Sequence, residues 1–131
     1  MIPIASFKMP PLSSIILAIQ SGFNFLNGTI NLLSRSAAEK NAEILAIDSI
    51  PAIHTIALGS MSIDTFYLIA AQRRDKLAMW LSVIGRIIAV GTFLIDAGPW
   101  RNIAIFEGVC GGLLAGSLIW ESRDGKEKDK Q

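Results

Sequence analysis

The sequence predicts an all-α protein, a four-helix transmembrane bundle, on three observations. Of its 131 residues 51% are hydrophobic and only 18% charged, too apolar a mix for a small soluble domain that must cover its core with polar surface. The apolar residues fall into four stretches, about 12–33, 52–72, 77–97 and 100–120, each close to the ~20 residues with which a helix crosses about 30 Å of hydrocarbon. Lysines and arginines gather at the ends of these stretches, as they do in membrane proteins. Residues 1–120 therefore read as one four-span membrane domain, joined by short connections, and 121–131, "ESRDGKEKDKQ", as a charged, disordered tail.

The first stretch is too long and too polar for a cleavable signal sequence and no small-residue cleavage site follows it, so it is read as retained. Lys8, Arg73, Arg74, Lys76, Arg123, Lys126, Lys128 and Lys130 fall on one side of such a bundle, and Arg35, Lys40 and Arg101 on the other. That bias places both termini in the cytoplasm and, in a eukaryotic cell, suggests the endoplasmic reticulum membrane. The net charge of +1 with no basic face excludes a nucleic-acid partner. One cysteine, Cys110, and one histidine, His54, can build neither a disulfide nor a zinc site. With no HExxH and no phosphate-binding loop, no metal and no cofactor is expected.

The four spans carry polar residues in a pattern. In the first, Gln20, Asn24, Asn27 and Asn31 step by four, three and four and so fall within an arc of about 60°. Side-chain amides facing lipid would lack partners, so this stripe should face other helices or a wet cavity. In the second, Ser60, Asp64 and Tyr67 share one face, and His54, near the exit end, reads first as an interfacial residue. The third holds Arg86, a permanent charge near the middle of "LSVIGRIIAVGTFLID". The fourth holds Glu107 and then Gly108, Gly112 and Gly116, a small-xxx-small ridge against which a second helix, or a second copy of the chain, can pack closely.

Counted along each helix from the cytoplasmic side, Asp64 lies roughly 12 Å deep, Arg86 roughly 14 Å, Asn24 roughly 18 Å and Glu107 roughly 20 Å. They form one layer near the midplane, where Arg86 can be held between two carboxylates. An ionisable residue in a span costs about 2.5 kcal/mol or more, whereas polar contacts between membrane helices typically return less than about 1 kcal/mol each. That imbalance favours function over scaffolding.

The segment "GRIIAVGTFLIDAGPWRNIAIFEG" is similar to a domain-of-unknown-function family of small four-span membrane proteins, through Gly85, Arg86, Asp96, Gly98, Pro99 and Glu107. The resemblance covers the last half of the chain and implies the four-span fold; Ala97, between Asp96 and Gly98, departs from its pattern. In chemistry, a carboxylate pair around an arginine is similar to the set in limonene-epoxide-hydrolase-type enzymes, on a different fold. The similarity implies acid/base work on an oxygenated hydrophobic metabolite entering from the bilayer: isomerisation, cyclisation or epoxide opening. Asp64, Glu107 and Arg86 are the expected catalytic residues, and Asn24, Tyr67, Gln20, Asn27, Asn31 and His54 the expected substrate-binding ones. A non-catalytic scaffold binding a partner helix, and a small transporter or proton path, are the competing classes.

Overall fold

The computed structural model describes residues 9–130; the expectation for Lys8 lies outside the described residues. They form five helices and, among the described residues, no strand: α1 (Leu12–Leu33), α2 (Arg35–Leu45), α3 (Ile50–Arg73), α4 (Lys76–Asp96) and α5 (Trp100–Asp129). The four predicted stretches correspond to α1, α3, α4 and α5. Three helices, α3, α4 and α5, are long and apolar enough to cross a membrane. The 22-residue α1 is not among them, because its glutamine, asparagines and serines dilute its apolar residues.

Two expectations need correction. The connection after α1 is not a short loop but holds α2, whose N-cap Ser34 accepts a hydrogen bond from the Ala37 amide and whose Ala46 ends it in the left-handed region. Ala38, Ala42 and Leu45 give α2 one apolar face, a period that a search for 20-residue stretches passes over. The tail is not disordered up to Asp129, since α5 runs on through it. Extending an existing helix avoids the cost of nucleation, the Asp124–Lys128 pair supports it, and Lys126 and Lys128 complement its C-terminal dipole.

The helices bury the reverse of what a soluble helix buries. On α4 the buried residues are Met79, Ser82, Val83 and Arg86, while Leu81, Ile84, Ile87, Ile88 and Leu94 are exposed, Ile87 by 64%. Such an outward apolar face is stable in hydrocarbon and costly in water. The inner positions recur every seven residues: 14/21/28 and 17/24/31 on α1, 57/64/71 and 60/67 on α3, 79/86/93 and 83/90 on α4, 104/111/118 and 107/114/121 on α5, each of them buried or half-buried. This is the spacing of helices wound with a slight left-handed supercoil, but here the seam is filled largely by small and polar side chains.

On that seam α1 packs along α3, and α4 along α5, with lesser contacts of α1 to α5 and α3 to α4. Small residues set the closeness. A Cβ on Gly28 would fall 2.7 Å from the Met61 Cγ and 3.3 Å from the Ala57 carbonyl. Trp100 stacks on Phe93, ring centroids 5.2 Å apart, across a turn in which Ala97 and Gly98 both take positive φ.

The apolar core is split in two. Leu17, Ala70, Ala71, Met79, Val83, Leu114 and Leu118 form one cluster at the end where α1 and α4 begin. Ala38, Ala42, Leu45 and Ile53, with Trp100 and Ile103 against them, form the other beneath α2. At the first end the Glu121 carboxylate accepts hydrogen bonds from the Ser13 amide (2.8 Å) and the Ser13 hydroxyl (2.7 Å) and pairs with Lys76. Because α1 begins at Pro11 with no side-chain cap of its own, Glu121 supplies the missing acceptor from α5 and places negative charge at the positive end of α1.

Replacing Glu121 with Ala should lower stability in detergent by about 1–3 kcal/mol, the cost of orphaning a part-buried donor, read as a fall in thermal melting temperature. Gly28→Val should cost about 1–3 kcal/mol by overpacking the α1/α3 contact, whereas Gly22→Val, whose surroundings are open, should cost less in the same assay.

Candidate functional site

Between the two apolar clusters the seam turns polar. From α1 it carries Asn24, from α3 Ser60 and Asp64, from α4 Arg86 and from α5 Glu107. Asp64 and Arg86 are buried, 3% and 6% exposed, so whatever they bind must come from the protein or from a molecule admitted to it.

Arg86 donates from Nη1 to Glu107 Oε2 at 2.7 Å. Gly111 makes this possible: a Cβ there would approach the Arg86 Cβ to 3.3 Å and Cδ to 3.5 Å, so the arginine stem lies against bare backbone of α5. One bond does not exhaust a guanidinium, which has five N–H donors. The Arg86 Nε is buried without a hydrogen-bond partner among the described residues.

Asp64 does not clasp Arg86 from the other side. Ser60 donates to its Oδ2 at 3.2 Å, the Asn24 amide stands beside it, and the charges of Arg86 and Glu107 both reach it. The two carboxyl groups therefore sit in unlike surroundings, Glu107 on a guanidinium and Asp64 on a hydroxyl and an amide. Gln20 braces the layer from α1 by donating to the Cys110 carbonyl at 3.0 Å; its own Oε1 is buried without a partner among the described residues.

Two spaces flank this layer and share no lining residue. One, about 80 Å³, is lined by Asn24, Asn27, Asn31, Asn41 and Ser60 together with apolar residues under α2; its volume is that of two or three waters at ~30 Å³ each. The other, about 220 Å³, is a groove between α4 and α5 with Arg86 and Glu107 among walls of Val83, Ile87, Val90 and Ala115. Asp64 lines neither, but its neighbours Ser60 and Asn24 line the first and the ion pair lines the second. A single chamber enclosing all three ionisable groups is not what the helices build.

Other expected residues are placed differently. Tyr67 packs against the apolar cluster at the α4 start, three residues and about one helical turn from Asp64. Asn27 is exposed, and its carbonyl accepts from Asn31 Nδ2 at 2.9 Å; both still border the small polar cavity. His54 is half-buried near the start of α3, away from the layer. The glycine ridge is divided: a Cβ on Gly108 would meet Val90 Cγ2 at 3.7 Å, while one on Gly112 or Gly116 would meet nothing within 4 Å.

Sequence reasoning missed Gly111, the Cys110 carbonyl and the buried Ser21 and Ser82. The seven-residue step from Ala104 to Gly111 would have found the glycine. Among the described residues no group of three or more His, Cys, Asp and Glu is placed to hold a metal. No protein-family model matches the chain, and neither a curated protein nor a solved structure does. The resemblance to a four-span family gains no support from these comparisons.

The ion pair predicts a non-additive mutant cycle. Removing one partner leaves the other charge buried, so Arg86→Met and Glu107→Leu should each cost about 3–5 kcal/mol. The double variant, with apolar residues in both places, should melt within about 1 kcal/mol of the parent or above it. Additive losses in the double variant would mean that the two side chains contribute independently, each through other contacts.

Proposed function

We propose that the chain is an integral membrane enzyme that crosses the bilayer four times. α1 makes the fourth crossing beside α3, α4 and α5, with both termini cytoplasmic. Two facts support α1 as a crossing despite its polarity: it packs along α3, and its buried residues include Ser13, Ser14, Ser21 and Asn31, turned inward. The orientation is supported by the described basic residues, with Arg73, Arg74, Lys76, Arg123, Lys126, Lys128 and Lys130 at one end against Arg35, Lys40 and Arg101 at the other.

Its chemistry is acid/base conversion of a hydrophobic, oxygen-bearing metabolite, by isomerisation, cyclisation or epoxide opening. The observation that carries this reading is the juxtaposition of Asp64, Arg86 and Glu107 from three helices in one buried layer. Two carboxyl groups in contrasting environments divide proton donation from proton removal. A guanidinium with an unused donor stabilises negative charge developing on a substrate oxygen. In epoxide opening, one carboxyl would protonate the ring oxygen as its C–O bond breaks. The other would take the proton from the water that adds to carbon, a step that requires the small polar cavity and the α4/α5 groove to join around Asp64, which lines neither in this arrangement. Asn24 and Ser60, beside Asp64 and on the small polar cavity, would position that water.

A second reading has its own support. The polar cavity on one side of Asp64 and the Arg86–Glu107 groove on the other are an arrangement that a proton path also needs.

One set of variants separates the two. Asp64→Asn and Glu107→Gln should fold and insert but remove, by at least ~100-fold, the compound that appears in lipid extracts of cells making the parent protein. Proteoliposomes of the parent should show no proton flux above protein-free vesicles when a pH-sensitive dye is trapped inside. Flux abolished by Asp64→Asn would transfer the carboxyls from catalysis to conduction.

A further inference from the structure

We infer that the small polar cavity between α1, α2 and α3 binds a monovalent cation, held by neutral side-chain oxygens and drawn there by the charge of Asp64 behind them. The site goes beyond the enzyme reading and stands without it.

The directions of three hydrogen bonds lead to it. Asn31, 5% exposed and on the cavity wall, donates from Nδ2 to the Asn27 carbonyl at 2.9 Å. A carbonyl only accepts, so the amide is fixed and Oδ1 is its free end. Ser60 gives its one hydroxyl proton to Asp64 Oδ2 at 3.2 Å, which leaves the Oγ lone pairs. The Asn24 amide bonds to the same carboxylate, and a carboxylate also only accepts, so its oxygen is again what remains. Each donor is spent inside the protein. All three residues line the cavity, and what they keep for a ligand is acceptor capacity. The Asn31 Oδ1 is not sealed in, in contrast to the Arg86 Nε, and no described residue donates to it.

Charge decides which kind of ligand these acceptors take. With both carboxyls ionised, Asp64 and Glu107 outnumber Arg86, and the polar layer carries one uncompensated negative charge. Arg86 from α4 is paired with Glu107 from α5 at 2.7 Å, and α1 brings only the neutral Asn24 to Asp64. One added positive charge brings the layer to neutrality. A divalent ion would overshoot, and no charged side chain lines the cavity to hold it. An anion would be repelled by Asp64 and would meet only acceptors at Asn24, Asn31 and Ser60.

Size and access agree. The cavity's 80 Å³ suits an ion of sodium, potassium or ammonium size with one or two waters at ~30 Å³ each completing its shell. Its lining from Ile53 to Ser60 covers roughly 10 Å along α3, and Asn27 and Ile56 in that lining are exposed. The cavity thus leads from the α2 end to the layer that holds Asp64.

The test uses the full chain purified in detergent, with N-methylglucamine chloride replaced by sodium, potassium or ammonium chloride at constant ionic strength. At least one of the three should raise the melting temperature by roughly 3–6 °C along a saturating curve, as a ligand at about tenfold its Kd does for a chain of this size. Asn31→Leu and Asp64→Asn should lose that increment, and Ser60→Ala should weaken the apparent affinity severalfold. Broadening of the sodium-23 resonance by the parent protein, reversed by excess potassium or ammonium, gives a readout that does not depend on how a variant folds. No saturable shift with any of the three cations would overturn the inference. So would an increment that survives in Asn31→Leu and Ser60→Ala, or a larger shift from calcium at the same concentration. Neither measurement requires turnover, so the ion and the chemistry fail separately: conversion lost in Asp64→Asn with no cation response removes the ion alone, and a cation response with conversion untouched by the carboxylate variants removes the chemistry alone.

Discussion

A guanidinium cannot shed its proton at any pH a cell reaches, and this fixes the middle of the molecule. Arg86 must be surrounded by groups that accept from it, wherever the chain places its helices. Glu107 answers at 2.7 Å, and Gly111 clears the space through which the stem passes. Contact between α4 and α5, the most intimate part of that half of the molecule, is thus organised by a charge. A core built around an ion pair differs from one built around leucines: it tolerates only the register in which donor and acceptor meet. One heptad step along either helix would leave both charges facing apolar side chains.

The other half is held differently. Between α1 and α3 the close approach depends on absence of side-chain volume, with Gly28 against Ala57 and Met61, and with serines filling the inner positions of α1. Under the proposed membrane placement, where burying a leucine gains nothing over leaving it in lipid, packing of small residues is what draws helices together. That accounts for an interior where large apolar residues are mostly on the outside. It also accounts for the divided core: leucine and isoleucine close the two ends, where the spans approach water and burial regains its value.

Much of this was legible in the sequence. The lengths of α1, α3, α4 and α5 followed from hydrophobic run length, and the layer of Asn24, Asp64, Arg86 and Glu107 from depth counting, because one helical rise applies to all four. Direction around each helix was harder to read. Gln20, Asn24, Asn27 and Asn31 read as one face, yet Asn27 is exposed, since a 60° arc is wide enough for its edge to leave the contact. Tyr67 shares a face with Asp64 as expected but is a turn nearer the apolar cluster, where shape and not chemistry employs it. α2 and the helical end of α5 escaped because their signals are an 11-residue amphipathic period and a set of charge pairs, neither of which registers as hydrophobicity. The inner seven-residue repeat was also present in the sequence, hidden because serine, glycine and asparagine occupy positions where leucine is sought.

The bond between Ser13 and Glu121 joins residues 108 positions apart. A ribosome adding ~5–20 residues per second makes the second partner roughly 5–20 s after the first. Throughout that interval the opening turn of α1 lacks the acceptor that finally caps it, and the helix least suited to hydrocarbon waits for the last to be synthesised. The first turn of α1 is therefore completed only when α5 arrives.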